Sequence, residues 1–312
     1  MPRQDLLQVA RLAYRLAEHV LPPYSSKFSP KKFTQPSLLA CLCLKEYLRL
    51  DYRGLEALLA SAAELRAAVG LRTVPDHSTL HWFARHQVKP RLLVQVLEAA
   101  ARLFPRRRNG RHVVAVDATG FSRRSASRYY SLRHGVWHHS YLLWSTPVWT
   151  KPLVIYAQTA RVGPSSQSRR LPALVAAGQR VLPIHAVLAD ADYDSEPHHR
   201  WLRETCGITS IIPATRGRPG RATGSYRRHM QRYFPRRKYG QRWMAETVFS
   251  VVKRKFGEAL TARRPWQQVK QAFLRGVVYD LYRAVQLGPV LWRLVVHRLT
   301  MALAGKVFDR AV

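Results

Sequence analysis

Three carboxylates stand out in a chain that is otherwise strongly basic: Asp117, Asp190 and Glu246. Asp117 follows the run His112-Val113-Val114-Ala115-Val116, which reads as a buried strand ending in an acid. Asp190 closes a second such run, Ala186-Val187-Leu188-Ala189. Glu246 falls inside a helical segment, in the spaced set Tyr239, Arg242, Glu246 and Lys253. Cleaving or transferring a phosphodiester requires an activated oxygen nucleophile and neutralisation of charge on the leaving oxygen. Two Mg²⁺ (or Mn²⁺) ions about 3.5–4 Å apart do both. Hard oxygen donors hold such ions, usually a few carboxylates with water and substrate phosphate. Two aspartates on adjacent strand tips and a helix-borne glutamate form such a set without closing a cage.

The helix around Glu246 carries more than the acid. Arg242, Glu246 and Lys253 fall at i, i+4 and i+11 and share a broad face, with Tyr239 one heptad ahead of Glu246. Trp243, Val248, Val251 and Val252 occupy other positions and are expected to pack inward.

The elements that must position these residues fall into two grammars. Residues 1–104 read as helices throughout: Leu6, Val9, Leu12, Ala13 and Leu16 recur at helical spacing, and Asp76 and Ser78 are good N-caps ahead of Thr79 to Phe83. This all-helical bundle is expected to bind DNA and could contain a helix-turn-helix. A basic linker, 105–111, follows. Strands are then expected at 113–116, 141–144, 153–157, 186–189 and 208–212, with helices at 171–181 and 197–205. That order is the α/β pattern of a ribonuclease H-like domain, a mixed sheet flanked by helices, assigned to 112–260. Its first and fourth strands are neighbours, which would set Asp117 beside Asp190. Residues 261–312 read as C-terminal helices broken near Gly288-Pro289.

Composition agrees with a polyanionic partner. The chain has 312 residues, 47% hydrophobic, with 52 Lys plus Arg against 18 Asp plus Glu and a formal charge of +34. Basic side chains that displace condensed counterions make DNA the leading partner. The basic loop 214–238 has nine cationic residues from Arg216 to Lys238 and no acid, interleaved with Tyr226, Tyr233 and Phe234. Arg227, Arg228, Arg236 and Arg237 are therefore candidate phosphate contacts, on a segment whose glycines suggest an irregular loop. No window offers the roughly 18 uncharged apolar residues of a membrane span, and no signal segment opens the chain, so a cytoplasmic, membrane-free protein is expected. Three cysteines form neither a disulfide framework nor a zinc spacing, and Cys41 and Cys43 read as buried thiols. The pairs His138-His139 and His198-His199 lack ligand spacing and read as solvated or DNA-facing.

The set Tyr239-x2-Arg242-x3-Glu246-x6-Lys253 resembles the Y-R-E-K signature of insertion-sequence DDE transposases. Val116-Asp117-Ala118-Thr119-Gly120 resembles that family's first catalytic strand end, and Asp190-Ala191-Asp192-Tyr193-Asp194-Ser195 its second block. Tyr52-Arg53-Gly54-Leu55 and Val74-Pro75-Asp76-His77-Ser78-Thr79-Leu80 resemble its helical N-terminal region. The resemblance implies a metal-binding triad of Asp117, Asp190 and Glu246, with Tyr239, Arg242 and Lys253 on transposon-end DNA. It also implies a homodimer on paired ends in the bacterial nucleoid. Asp192 departs from the pattern, standing where the family commonly has Gly, and the interval from Asp190 to Glu246 leaves no room for a long β insertion. Two other readings share the acids: a decayed or domesticated transposase that only binds DNA, and a ribonuclease H-like nuclease without strand transfer.

Overall fold

A computed structural model describes residues 3–104, 110–123, 141–150, 153–162, 168–214 and 222–287. The chain forms two compact units. The first comprises the described residues up to Phe104 together with Lys255–Gly257 and residues 270–287; the second holds the remaining described residues. The expected linear division gave 261–312 a part of its own, whereas residues 270–287 fold with the N-terminal helices.

In the first unit the helices are α1 (Arg3–Val20), α2 (Gln35–Leu48), α3 (Tyr52–Ser61), α4 (Ala63–Ala68), α5 (His77–His86) and α6 (Pro90–Arg102). Most of α12 (Pro265–Gln286) joins them. Thr34 caps α2 by accepting from Ser37 N, and every residue from Pro36 to Tyr47 is buried. A helix enclosed on all sides must be apolar all round or pair its charges inside. Here Glu46 is the exception that needs partners. Its carboxylate accepts from Lys45 Nζ at 2.9 Å and from Gln271 Nε2 at 3.1 and 3.2 Å, with Arg275 Nε at 3.6 Å. Burial alone would raise the Glu46 carboxyl, but Lys45 and Arg275 pull it below its ordinary value. Arg275 also donates to Gly257 O at 2.7 Å. Cys41 and Cys43 are buried in α2, and burial pushes both thiols up to about 12.

The second unit is built on a mixed sheet: β1 (His112–Arg123), β2 (Tyr141–Trp149), β3 (Val154–Ile155), β4 (Thr159–Val162), β5 (Ile184–Ala189), β6 (Thr209–Ile211) and β7 (Ala259–Leu260). The order is β3-β2-β1-β5-β6, with β4 also on β2 and β7 also on β1. Strands β1, β5 and β6 run parallel; β2 is antiparallel to β1. Around the sheet lie α7 (Leu171–Gln179), α8 (Glu196–Arg200) running on into a π turn (Trp201–Thr205), α9 (Ser225–Arg232), α10 (Arg236–Tyr239) and α11 (Trp243–Phe256). Val114 to Val116 on β1, Val187 to Ala189 on β5 and Trp144 on β2 are enclosed. Gly178 on α7 allows close approach: a Cβ there would lie 2.0 Å from the Tyr156 ring.

Several expectations change. Strand β1 does not end at Asp117 but continues to Arg123, because β2 pairs with it through Ser122. The strand expected at 153–157 shrinks to the two residues of β3, and β4 follows outside that range; both pair with β2. The helix expected at 197–205 starts as α-helix and widens into a π turn. Residues 225–232 and 236–239 are helical where an irregular loop was expected. The break near Gly288 and the pair His138-His139 lie outside the described residues.

Glu46→Ala would leave Lys45 and Arg275 buried beside each other without their carboxylate. Stranding a buried charge in this way costs about 3–5 kcal/mol. Urea unfolding of the full chain is expected to show a loss of that size; a loss under about 1 kcal/mol would mean that Glu46 does not hold the bundle together.

Candidate active site

Asp117 and Asp190 are brought together by strand register. The parallel pairing of β1 with β5 runs through Val116 opposite Ala189 and stops there. Asp117 and Asp190 are the next residues on neighbouring parallel strands, whose spacing is about 4.8 Å. Beyond them β5 leaves the sheet: Asp190 caps a 3-10 turn (Ala191–Tyr193), its Oδ1 accepting from Ala191 N. On the same side of β1, β7 takes up pairing only at Ser122 and Arg123. Between these partners β1 has a gap in the sheet, and Asp117 stands at its start.

Glu246 arrives from the other direction. The 3-10 turn Gly240–Arg242 rests on β1 and β5 and leads directly into α11. Arg242 at the end of that turn binds two of the three acids. Its Nη1 donates to Asp117 Oδ2 at 2.9 Å and its Nη2 to Glu246 Oε1 at 2.5 Å. Tyr239 lies under the guanidinium, whose carbon is 5.9 Å from the ring centroid. The Arg242 and Asp117 side chains are mostly covered (19% and 13% exposed), whereas that of Glu246 is 57% exposed. The site therefore opens on the Glu246 side.

Its electrostatics are those of crowded like charges around one cation. Burial raises the Asp117 carboxyl above its ordinary value, and the fields of Asp190 and Glu246 add to the rise. The Ala118 N–H, 2.8 Å from Oδ1, and Arg242 oppose it. Burial works against the Arg242 charge, yet Asp117, Tyr239 and Glu246 raise its pKa overall. The Tyr239 hydroxyl is raised by burial and by the fields of Asp190 and Asp117, so it stays protonated at neutral pH.

The donors are hard carboxylate oxygens, and a guanidinium already bridges two of them, so a cation is what this geometry accommodates. Asp117, Asp190 and Glu246 could hold Mg²⁺ or Mn²⁺ once Arg242 yields its place. As they stand they do not converge into a cage. Among the described residues the one tight group of three ligand side chains is Glu56, Asp76 and His77 in the first unit. That group is already occupied internally: Asp76 caps α5, and Glu56 accepts from the His77 backbone N–H and lies 2.9 Å from its Nδ1.

The remaining candidates divide. Lys253 is on α11 two turns beyond Glu246, with its Nζ 3.7 Å from Glu258. Asp192 is exposed on the 3-10 turn. Trp243, expected to pack inward, is 58% exposed. Arg228, Arg236 and Arg237 are exposed. Arg227 is not turned outward: its guanidinium clasps Asp194 with distances of 2.8–3.1 Å, and the Asp194 side chain is fully buried. Asp194 also faces His199 Nε2 at 3.6 Å, and His199 Nδ1 lies 2.7 Å from Ser210 Oγ. His199 is thus a core residue, not a solvated one. Glu196 completes the anchor, accepting the backbone N–H groups of Tyr226 and Arg227 at the start of α9. Gly224 permits this approach: at φ 93°, a Cβ would fall 2.1 Å from Glu196 Oε2. Sequence reasoning quoted Asp194 only as part of the second block and passed over Glu196 and Ser210. The signal for the two acids was their cluster ahead of a segment that has many cations and no acid of its own.

A carboxyl whose pKa is raised in the folded chain holds its proton more tightly there than when unfolded. Its contribution to stability is full below the ordinary value of 3.8 and is lost as pH rises through the raised one. Ionised Asp117 is therefore a cost that the metal-free protein carries at neutral pH. Asp117→Asn keeps the shape and, through its one carbonyl oxygen, the bond to Arg242, while giving up the charge and the acceptor for the Ala118 N–H. It is expected to raise the thermal midpoint of metal-free protein at neutral pH by a few degrees, since about 1 kcal/mol moves a large domain by roughly 2–4 °C. The gain should vanish toward pH 3. A lower midpoint at neutral pH would show that the site is not strained by like charge.

Comparison with known proteins agrees with this geometry. No curated protein matches the chain at a significant level. The family described as Transposase DDE domain matches residues 108–281, more than half of the 312 residues, and spans Asp117, Asp190 and Glu246. The chain belongs to the transposase DDE domain family.

Proposed function

We propose that this protein is an active insertion-sequence transposase that binds the inverted-repeat ends of its element, cleaves them and joins them to target DNA. The observation that carries the reading is the meeting of Asp117 and Asp190 at the end of one parallel strand pair, with Glu246 tied to Asp117 through Arg242. The catalytic unit is read as ribonuclease H-like, with β1 and β5 as the two carboxylate-bearing strands.

Two Mg²⁺ or Mn²⁺ ions, when bound, would activate the attacking oxygen and neutralise the leaving one. Asp117, Asp190 and Glu246 would hold them. In the first step a water oxygen attacks the end phosphodiester and the 3′ oxygen leaves as a hydroxyl. In the second, that hydroxyl attacks a target phosphodiester, so one P–O bond forms as another breaks. Arg242, released from Asp117, is placed to hold a non-bridging phosphate oxygen, and the protonated Tyr239 hydroxyl beside it is a donor to the same group. Lys253 extends this face along α11. Exposed Arg228, Arg236 and Arg237 supply general affinity for duplex. A homodimer on paired ends, within the nucleoid, follows from the need to bring two ends together. No helix among the described residues is long and apolar enough to cross a membrane.

Asp117→Ala, Asp190→Ala and Glu246→Ala are each expected to abolish Mg²⁺-dependent cleavage of end DNA while leaving its binding within a fewfold. Asp192→Gly should retain cleavage. Near-normal cleavage by any of the three alanine variants removes that residue from the triad, and wild-type protein that binds ends without cutting them supports the binding-only reading.

The basic segment gives a second test. Replacing Arg228, Arg236 and Arg237 by Gln should weaken binding to any duplex and flatten the slope of log K against log salt by about 0.9 for each phosphate left without its arginine. Arg227→Ala should instead lower stability, because it strands buried Asp194. An unchanged slope in the triple variant would take these arginines off the DNA.

A further inference from the structure

We propose that Arg242 couples metal loading of this site to DNA: bridging Asp117 and Glu246, it holds a cation's place and yields it when phosphate takes the guanidinium. The inference rests on the reading that Asp117, Asp190 and Glu246 hold the metal ions, and it adds the order in which the site fills.

The bridge engages the atoms that a metal ion would need. Both oxygens of Asp117 are in use: Oδ1 accepts from the Ala118 N–H at 2.8 Å and Oδ2 from Arg242 Nη1 at 2.9 Å. The first partner is backbone of the same strand, so Oδ2 is the oxygen free to change partner. The other arm of the fork, Nη2, takes Glu246 Oε1 at 2.5 Å. Glu246 lies one turn beyond Arg242, in the first turn of α11, so the bridge also decides where that carboxylate rests. An ion that gathers Asp117 and Glu246 must therefore replace the guanidinium.

The guanidinium does not leave alone. A lysine or histidine in this place could shed its proton, but an arginine keeps its charge and must find another anion. Its side chain is 19% exposed, so departure without an acceptor would leave a mostly covered charge unpaired. Phosphate is the acceptor it suits, because the planar fork matches phosphate oxygens as it matches carboxylates. The Glu246 side is the open one, with 57% of that side chain exposed, so phosphate arriving there meets the bridge first. Formal charge points the same way. The three ionised carboxylates and the one guanidinium leave −2; one divalent ion cancels this, and a second brings the site to +2. Phosphate, which both pairs with arginine and ligates hard cations, removes that excess. The chain is thereby kept from assembling its reactive centre away from DNA.

The test measures Mn²⁺ binding to the full-length chain by the free-ion signal in electron paramagnetic resonance. Protein is titrated alone and with a saturating duplex of the element's end, read before cleavage proceeds, with a duplex-only titration subtracted. Wild type should bind Mn²⁺ more tightly with the duplex by roughly five- to a hundredfold, the usual range for coupling between two ligands. Arg242→Gln and the charge-conserving Arg242→Lys should both bind Mn²⁺ more tightly than wild type without DNA, and the duplex should then add less than about threefold. Arg254→Gln removes a charge from an exposed position on the same helix and should behave as wild type. A gain in the Gln variant without one in the Lys variant would mean that charge alone matters, and the bridge would be overturned. So would wild-type Mn²⁺ affinity that is the same with and without the duplex, a result that requires no variant to fold. Asp190→Ala separates the two readings. Binding lost there but unmoved by either Arg242 change sinks the coupling alone, whereas binding that survives Asp190→Ala takes the metal away from the triad and the coupling with it.

Discussion

The second unit is organised around one electrostatic constraint: three carboxylates share a partly enclosed space, and a single guanidinium keeps two of them from repelling each other apart. Arg242 reaches Asp117 with one nitrogen and Glu246 with another. A planar fork with five fixed donors can do this; a lysine ammonium, a point charge on a flexible stem, could not span both with the same geometry. The bond ties β1, deep in the sheet, to the first turn of α11. It also explains why Glu246 can be exposed and still be held near Asp117.

The scaffold that sets this constraint works by termination. Asp117 and Asp190 face one opening because β5 stops at Ala189 while β1 continues under β2. Asp190 then leaves the sheet by capping its own turn, and the chain passes into the buried Asp194, the Ser195 cap of α8 and Glu196. These last acids seat the start of α9 through Arg227 and two backbone N–H groups. The stretch after the second aspartate therefore has two tasks. One carboxylate faces the opening, and the next ones fasten the basic segment to the domain. An anion at a helix N-terminus is favourable in any case, and here a glutamate fills the place a phosphate could take elsewhere.

How far the sequence revealed this depends on the range of the interaction. The apolar runs ending at Val116 and Ala189 are local patterns and lie on strands as their residues suggest; of the spaced set, Glu246 and Lys253 share α11, whereas Tyr239 ends a short helix and Arg242 a 3-10 turn before it. The end of β1 was not legible, since a strand continues for as long as one neighbour pairs with it, and β2 lies well further along the chain. β7, with two residues, has no period to read. Arg227 was misread because one of nine cations in an acid-free segment looks solvated until its partner, thirty-three residues earlier, is known. His199 failed for the same reason: its place is set by Asp194 and Ser210, not by the histidine next to it. Trp243 was assigned inward on hydrophobicity alone, but the position is outward on α11.

The same distinction bears on the charge of the whole molecule. With 18 acids against 52 Lys and Arg, few carboxylates are available to neutralise the surface. Several of those in the described residues hold the backbone or pair with other side chains. Glu46 holds α2, Asp51 and Asp76 cap helices, Glu56 holds His77, and Asp194 and Glu196 anchor α9. Glu46 and Asp194 do so from covered positions, whereas Asp51 and Asp76 cap their helices while exposed. Self-repulsion of the net positive charge opposes compactness. The buried acids offset it by being paired, and the exposed cations are left to be neutralised from outside. A polyanion with evenly spaced charge does this over a wide surface, and at the Asp117 opening the fold sets acids among these cations, with Arg242 bridging two of them.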